Sequence, residues 1–168
     1  MRGSKRDAWR ADHVGYIFQQ FNLLPYLSVI DNVILPCRLS RLRRERAQQA
    51  GGQSGVIGAA QQCLSQLGLT PSLWTRPVTA LSVGQKQRVA AARALMGAPA
   101  LIIADEPTSA LDDDWRDEFI EQTLQACRQA GSAVIVVSHD RDLAPRFDRS
   151  VAMSDLILAM PISAEGQR

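Results

Sequence analysis

The chain has 168 residues, 46% hydrophobic and 21% charged, so its size and composition fit one globular domain and exclude disorder as the default. The formal net charge of +2 is too small to indicate a nucleic-acid partner by itself. No stretch reaches the roughly 20 apolar residues that cross a bilayer, since residues 89–104 are interrupted by Arg93, Gly97 and Pro99. The charged start is followed by no apolar region typical of a secretory signal, so we expect a soluble, cytoplasmic protein.

The first elements predicted along the chain are a strand and a helix. Residues 14–18 are rich in β-branched and aromatic side chains and predict a short strand that ends at Gln19. Ser28 is followed three residues later by an aspartate, a pattern that predicts the start of a helix over 29–39. We expect Pro36 to kink this helix or end it early, because proline cannot donate the next backbone hydrogen bond.

A second helix is predicted from apolar residues at helical spacing over 57–67, with Gly68 as its stop. The segment between the two helices is rich in arginine. It could touch nucleic acid, anionic lipid or a membrane protein, but a solvated helix face is the plainer interpretation. Its arginines are Arg38, Arg41, Arg43, Arg44 and Arg46.

The three cysteines are far apart and form no CxxC pair, which favours free, buried thiols in a reducing compartment over a metal or redox site. They are Cys37, Cys63 and Cys127.

In the second half of the chain, apolar runs alternate with helices. Residues 101–104 and 133–137 are apolar without alternation, which predicts strands covered on both faces. Helices are predicted over 85–96 and 114–130, and a glycine follows each of them. Because strand, helix and strand follow one another at these lengths, we expect an α/β unit with a parallel sheet.

Polar residues follow the predicted strands at the edge where open α/β sheets bind ligands. Asp105 and Glu106 follow one strand, His139 follows another, and Gln19 ends the first. Adjacent carboxylates at a buried strand tip suit phosphoryl transfer, in which Asp105 would serve Mg²⁺ and Glu106 would orient the attacking water. The plainer alternatives are carboxylates that emerge into solvent and a histidine whose hydrogen bonds are satisfied structurally.

A Ser-x-Gly-Gln turn occurs within residues 81–88, just before a predicted helix. Such a turn points backbone N–H groups and the positive end of the helix dipole outward, which makes an anion site. An ordinary helix cap is the alternative interpretation of the same residues.

Taken in order, these segments resemble the motifs of ATP-binding cassettes. Residues 81–88 are similar to the signature motif, and 101–112 resemble the Walker B strand followed by the D-loop. Residues 138–140 resemble the segment of the switch histidine, and 18–19 resemble the Q-loop. Four such segments in the family's order, over about residues 12–155, make a chance match implausible.

The resemblance implies ATP and Mg²⁺ as cofactors and a role for each matching residue. Gln19 would sense Mg²⁺ and water and couple to a permease, Asp105 would hold the metal, and Glu106 would polarise the water. His139 would contact the γ-phosphate, and Asp112 would cross the interface of a dimer. Three signature residues would face the γ-phosphate bound by the opposite subunit: Ser82, Gly84 and Gln85.

The resemblance also implies an α/β, P-loop NTPase-like parallel sheet with a helical subdomain at about 28–85 inserted in a core of 12–20 and 86–155. Two features depart from the family. Val83 stands where the signature usually has glycine, and it would be strained if the position required positive φ. No G-x-x-x-x-G-K-[ST] phosphate loop, the Walker A motif, occurs anywhere in the sequence, so we expect an incomplete, N-terminally truncated domain with uncovered apolar surface and low stability.

The function expected from the resemblance is that of an ATP-hydrolysing subunit that powers export or lipoprotein extraction through a membrane permease. Residues 21–25 and 31–33 look most like the lipoprotein-release and macrolide-export branch. A second nucleotide-binding subunit, a place on the cytoplasmic face of the membrane and no nucleic-acid partner are implied. The alternative is a non-hydrolysing subunit that docks on a permease or lends its signature to a partner's ATP. DNA-repair ATPases share these motifs, but the interval between Gln19 and Leu81 is too short for their heptad segments.

Overall fold

The computed structural model describes residues 3–158, with backbone alone for residues 3, 4, 113, 114, 157 and 158. In this part of the chain, helices and short strands alternate. Short 3₁₀ turns lie at Gly52–Ser54, Pro71–Leu73, Val78–Ala80 and Arg141–Arg146. The strands are β1 (Val14–Ile17), β2 (Leu101–Asp105) and β3 (Ala133–Val137), and the helices are α1 (Gly3–His13), α2 (Val29–Leu39), α3 (Arg41–Ala50), α4 (Gly55–Gln66), α5 (Val83–Leu95), α6 (Asp113–Ala130) and α7 (Met153–Leu158).

The three strands form one parallel sheet in the order β1-β2-β3. Ile17 lies opposite Ala104 across the first pair, and Asp105 lies opposite Val137 across the second. Because all three strands run the same way, their carboxyl ends meet at one edge of the sheet. The predicted α/β class with a parallel sheet is confirmed.

The two faces of the sheet have different surroundings. On one face Ile17, Ile102 and Ala104 are buried, and α5 lies so close that a β-carbon on Gly15 would meet the carbonyl oxygen of Ala94 at 2.3 Å. On the other face Tyr16, Ile135 and Val137 are 38–52% exposed. The prediction that the apolar strands are covered on both faces is therefore wrong for the described residues, where helices cover one face.

The predicted start of α2 is confirmed, but the expected effect of its proline is not seen. The Ser28 hydroxyl oxygen accepts a hydrogen bond from the backbone N–H of Asp31 at 3.2 Å and caps the helix. The helix passes through Pro36 and ends at Leu39. Proline costs this short helix one backbone hydrogen bond near its end, and packing against α5 offsets that cost. The core between α2, α4 and α5 is built from fully buried side chains, among them Val29, Val33, Leu64 and Val89.

The arginine-rich segment is not simply a solvated face. Arg43 on α3 is only 3% exposed, and its guanidinium donates to the carbonyl oxygens of Ala94 and Met96 at 2.6 and 2.7 Å. Arg46 donates to the carbonyl oxygen of Ala98 at 2.9 Å. The Ala94 and Met96 carbonyls lie at the C-terminal end of α5, so Arg43 satisfies acceptors that a helix C-terminus leaves unpaired, and Arg46 bonds to the segment just beyond it. Arg38, Arg41 and Arg44 are exposed, as expected.

The described residues divide into two compact units, with the boundary between Val137 and Ser138. The first holds the sheet and α1 to α6, and the second holds the turn at Arg141–Arg146 and α7. The predicted boundaries of a helical subdomain and a core stay a prediction. Within residues 3–158, no helix combines the length and apolar character that a membrane span requires.

Candidate functional site

Gln19 lies in a tight turn directly after β1. The backbone N–H of Phe21 donates to the carbonyl oxygen of Phe18 at 3.0 Å, and the N–H of Asn22 donates to that of Gln20 at 2.6 Å. The first of these bonds closes the turn around Gln19, whose side chain is exposed. Phe21 and Asn22 both have left-handed backbones, with φ values of 61° and 48°. Gln19 is therefore presented at the carboxyl edge of the sheet by an unusual backbone path.

Asp105 and Glu106 lie at the same edge, on the neighbouring strand. Since Ile17 lies opposite Ala104, Gln19 and Glu106 are each two residues beyond a paired position. Glu106 has a left-handed backbone with φ of 44°, and its N–H donates to the carbonyl oxygen of Val137 at 2.9 Å. A non-glycine residue in this conformation costs on the order of 1–3 kcal/mol, and such residues cluster at functional sites.

Two further candidates, His139 predicted at the strand edge and Asp112 predicted at a dimer interface, lie in the segments that follow β3 and β2. His139 comes two residues after the end of β3 and belongs to the second unit. Asp112 is the N-cap residue of α6, and its side chain makes no capping hydrogen bond. The structure brings Gln19, Asp105 and Glu106 to one sheet edge, and the roles of all these residues stay predictions.

The Ser-x-Gly-Gln turn forms a regular helix start. The Ser82 hydroxyl oxygen accepts from the Gln85 N–H at 3.3 Å, and the Gln85 side-chain oxygen accepts from the Ser82 N–H at 3.0 Å. This capping box leaves the backbone N–H groups of Val83 and Gly84 without a hydrogen-bond partner in the described chain. Two free donors at the positive end of a 13-residue helix are suited to an anion.

Val83 is not strained at this turn. It is the first residue of α5, is absent from the residues with positive φ, and is 46% exposed. The concern that a β-branched residue would distort the signature turn is therefore wrong for this structure. A helical backbone accommodates valine without a steric conflict.

The start of α5 lies beside the segment that follows Glu106. Gln87 is buried, and its side-chain nitrogen donates to the carbonyl oxygen of Pro107 at 2.5 Å. A β-carbon on Gly84 would meet only the Leu111 side chain, at 3.6 Å. The signature turn is thus attached to the loop between β2 and α6. Sequence reasoning missed Gln87, although a glutamine on the buried face of a helix is itself a signal.

The donor set at the sheet edge is suitable for Mg²⁺ held jointly with a phosphate ligand. The Asp105 carboxylate is exposed and makes no hydrogen bond or ion pair with any described residue. No group of three or more His, Cys, Asp or Glu that could hold a metal occurs in residues 3–158. Mg²⁺ commonly uses one or two carboxylates together with substrate phosphates and water, so a single carboxylate such as that of Asp105 fits this pattern.

Comparison with known proteins places these features in a family. The model of the family described as ABC transporter matches residues 2–109, which is more than half of the chain. The chain therefore belongs to the ABC transporter family, as the motifs predicted.

Two curated relatives fit the branch suggested by the sequence. The lipoprotein-releasing system ATP-binding protein LolD of Novosphingobium aromaticivorans is 39% identical over 94% of this chain and 66% of LolD. The macrolide export ATP-binding/permease protein MacB of Rhodopirellula baltica is 39% identical over 90% of this chain and 21% of MacB. The chain thus spans less than two thirds of the length of either relative.

A solved structure supports the same fold. The ATP-binding cassette MJ0796, in a dimeric post-hydrolysis state bound to ADP and Pi, is 35% identical to this chain, with a TM-score of 0.69. The match covers 86% of this chain and 60% of that one. The P-loop NTPase-like fold predicted from the motifs is confirmed at this level of similarity.

Proposed function

We propose that this chain is part of the ATP-hydrolysing subunit of a transporter that powers export or lipoprotein extraction through a membrane permease. The observation that carries the proposal is the sheet edge where β1 and β2 end side by side. There a turn presents Gln19 next to Asp105 and Glu106. A metal ligand, a water-orienting carboxylate and a sensing amide are the groups that phosphoryl transfer requires.

Each residue at this edge has a role that its surroundings support. Asp105 is exposed and would hold Mg²⁺, with Gln19 as an additional ligand. Glu106, at the strained position after β2, would orient the attacking water. His139 would contact the terminal phosphate from the segment after β3. Mg²⁺ would supply charge neutralisation on the transferring phosphoryl group.

The signature turn would act on a nucleotide held by a second subunit. Gly84 supports this role because its backbone is not left-handed and its β-carbon position is nearly open. No packing among the described residues requires glycine there, so a close approach from outside them is a physical reason for it. The unpaired N–H groups of Val83 and Gly84 are the donors that such a phosphate would use, with Ser82 and Gln85 beside them. Asp112 would lie at the interface of that dimer.

The partners proposed are an integral-membrane permease and a second nucleotide-binding subunit, with the protein held on the cytoplasmic face of the membrane. The relatives' names support export and lipoprotein release, since one is called a lipoprotein-releasing system protein and another a macrolide export protein. No nucleic-acid partner is proposed, because the exposed arginines Arg38 and Arg41 form ion pairs with Asp31 and Glu45.

The test is MgATP hydrolysis by the protein isolated through a C-terminal tag on its own gene, so that the cell's full product is assayed. We expect Glu106→Gln to retain ATP binding and to lower phosphate release about 100-fold or more. Glu121→Gln, which removes only a surface ion pair with Arg128, is the matched control and should hydrolyse ATP normally. Absence of hydrolysis by the wild-type product, or equal rates for both variants, would contradict the proposal.

A further inference from the structure

Arg93 makes an unusual pair of contacts near the end of α5. Its side chain is mostly buried, and its two terminal nitrogens donate to the carbonyl oxygens of Asn22 and Phe21 at 2.6 and 2.7 Å. No carboxylate pairs with it among residues 3–158. Burial without such a partner lowers the pKa of Arg93. The guanidinium therefore bonds to two backbone carbonyls of the turn that follows β1.

The two residues that accept from Arg93 have a backbone conformation that non-glycine residues rarely adopt. Phe21 and Asn22 have consecutive left-handed φ values of 61° and 48°. Non-glycine residues enter this region at a steric cost and remain there only when their surroundings favour it. The two hydrogen bonds from Arg93 stabilise this backbone, since the carbonyl oxygens of the two left-handed residues themselves accept them.

A second buried side chain fixes the other end of the same loop. The Asn32 side-chain oxygen accepts from the Leu24 N–H at 2.8 Å, and its nitrogen donates to the Leu24 carbonyl oxygen at 3.1 Å. Asn32 lies on α2 and is fully buried. Asn32 thus anchors Leu24 to α2, and Arg93 holds the turn that closes around Gln19.

We infer that Arg93 is a positioning residue: by donating to the Phe21 and Asn22 carbonyls it fixes the turn that presents Gln19, and it connects that turn to α5, which begins at Val83. One rigid helix then connects the signature turn at its first residue with the Gln19 turn near its last. The importance of this position for ATP chemistry rests on the proposed function, whereas the restraint itself does not.

The experiment is amide hydrogen exchange of the purified chain without nucleotide, comparing the wild type with Arg93→Gln. We expect the Phe21 and Asn22 amides to exchange at least about tenfold faster in the variant, because two charge-assisted bonds are lost. Arg88→Gln is the matched control. Arg88 lies on the same helix and is equally buried, but it bonds to the Leu67 carbonyl oxygen and pairs with Glu118. It should leave the relative protection of the turn unchanged.

A rescue separates positioning from general packing. Glycine adopts left-handed φ without steric cost, and the Asn22 side chain is exposed, so Asn22→Gly should restore part of the protection lost in Arg93→Gln. General loosening of α5 would not be rescued in this way. If Arg93→Gln does not fold, Arg93→Lys, which keeps the charge but not the fork of donors, replaces it in the same comparison.

Unchanged exchange at Phe21 and Asn22, equal effects of the Arg88 and Arg93 variants, or no rescue by Asn22→Gly would overturn the inference. None of these results involves nucleotide. They would leave the proposed ATP hydrolysis standing, and absence of ATP hydrolysis would leave the exchange result standing.

Discussion

Replacing Arg43 with methionine tests whether a buried arginine holds α3 to the end of α5. The side chain reaches the carbonyl oxygens of Met96 and Ala94 at 2.7 and 2.6 Å, and two weaker contacts reach Val14 and Arg93 at 3.4 and 3.5 Å. Methionine is similar in length and fills the same space without a donor. The substitution therefore removes the hydrogen bonds while keeping most of the packing.

The expected change in the free energy of unfolding for Arg43→Met is the difference of two opposing contributions. Loss of two charge-assisted hydrogen bonds at about 1.5–3 kcal/mol each lowers the free energy of unfolding by about 3–6 kcal/mol. Burial desolvates the Arg43 charge and lowers its pKa to about 10. Removing that desolvation offsets on the order of 2 kcal/mol. The net loss should be about 1–4 kcal/mol, or about 2–16 °C in melting temperature for a domain of this size.

Urea unfolding followed by circular dichroism measures this loss directly. Arg44→Met is the control, because Arg44 is the exposed neighbour on the same helix and should change stability by less than about 0.5 kcal/mol. Equal stabilities for the two variants would refute the idea that Arg43 caps α5. An Arg43→Met variant more stable than the wild type would show that desolvation outweighs the hydrogen bonds.

Two further predictions concern the signature turn and the open sheet face. Val83→Gly should lower the free energy of unfolding by about 0.5–1 kcal/mol in a urea titration, because Val83 has a helical backbone. A stabilised variant would mean that the φ of Val83 is positive. Ile102→Ala should lower the free energy of unfolding by about 2–5 kcal/mol in the same titration, because the Ile102 side chain is fully buried. Ile135→Ala should lower it by less than about 1 kcal/mol, because the Ile135 side chain is half exposed. Equal costs would show that the face carrying Ile135 is covered in solution.

Much of the fold could be predicted because its signals are local. Gly68, Gly97 and Gly131 were expected to stop helices, and all three have left-handed φ just beyond one. The β-branched runs gave β2 and β3 within a residue of their observed ends. Helix α1 was missed because residues 3–13 are mostly polar and hold too few apolar side chains to mark one helix face.

The candidate site was predicted less completely, because its support comes from distant parts of the chain. The order of residues along the chain was enough to place Gln19, Asp105 and Glu106 at one sheet edge. The burial of Arg43 depends on carbonyls more than 50 residues away, which no local pattern shows. Arg93 did carry a signal, since a lone arginine within the apolar run of α5 must find acceptors if that face is buried.

The glycine after α5 illustrates how one position can have two independent requirements. Gly97 has φ of 73°, a conformation that asparagine can also adopt. A β-carbon there, however, would lie 2.5 Å from the carbonyl oxygen of Arg43, so asparagine would meet the backbone of α3. Only glycine satisfies both demands. Homologous chains that keep this crossing of α3 and α5 should show no tolerated replacement at the position.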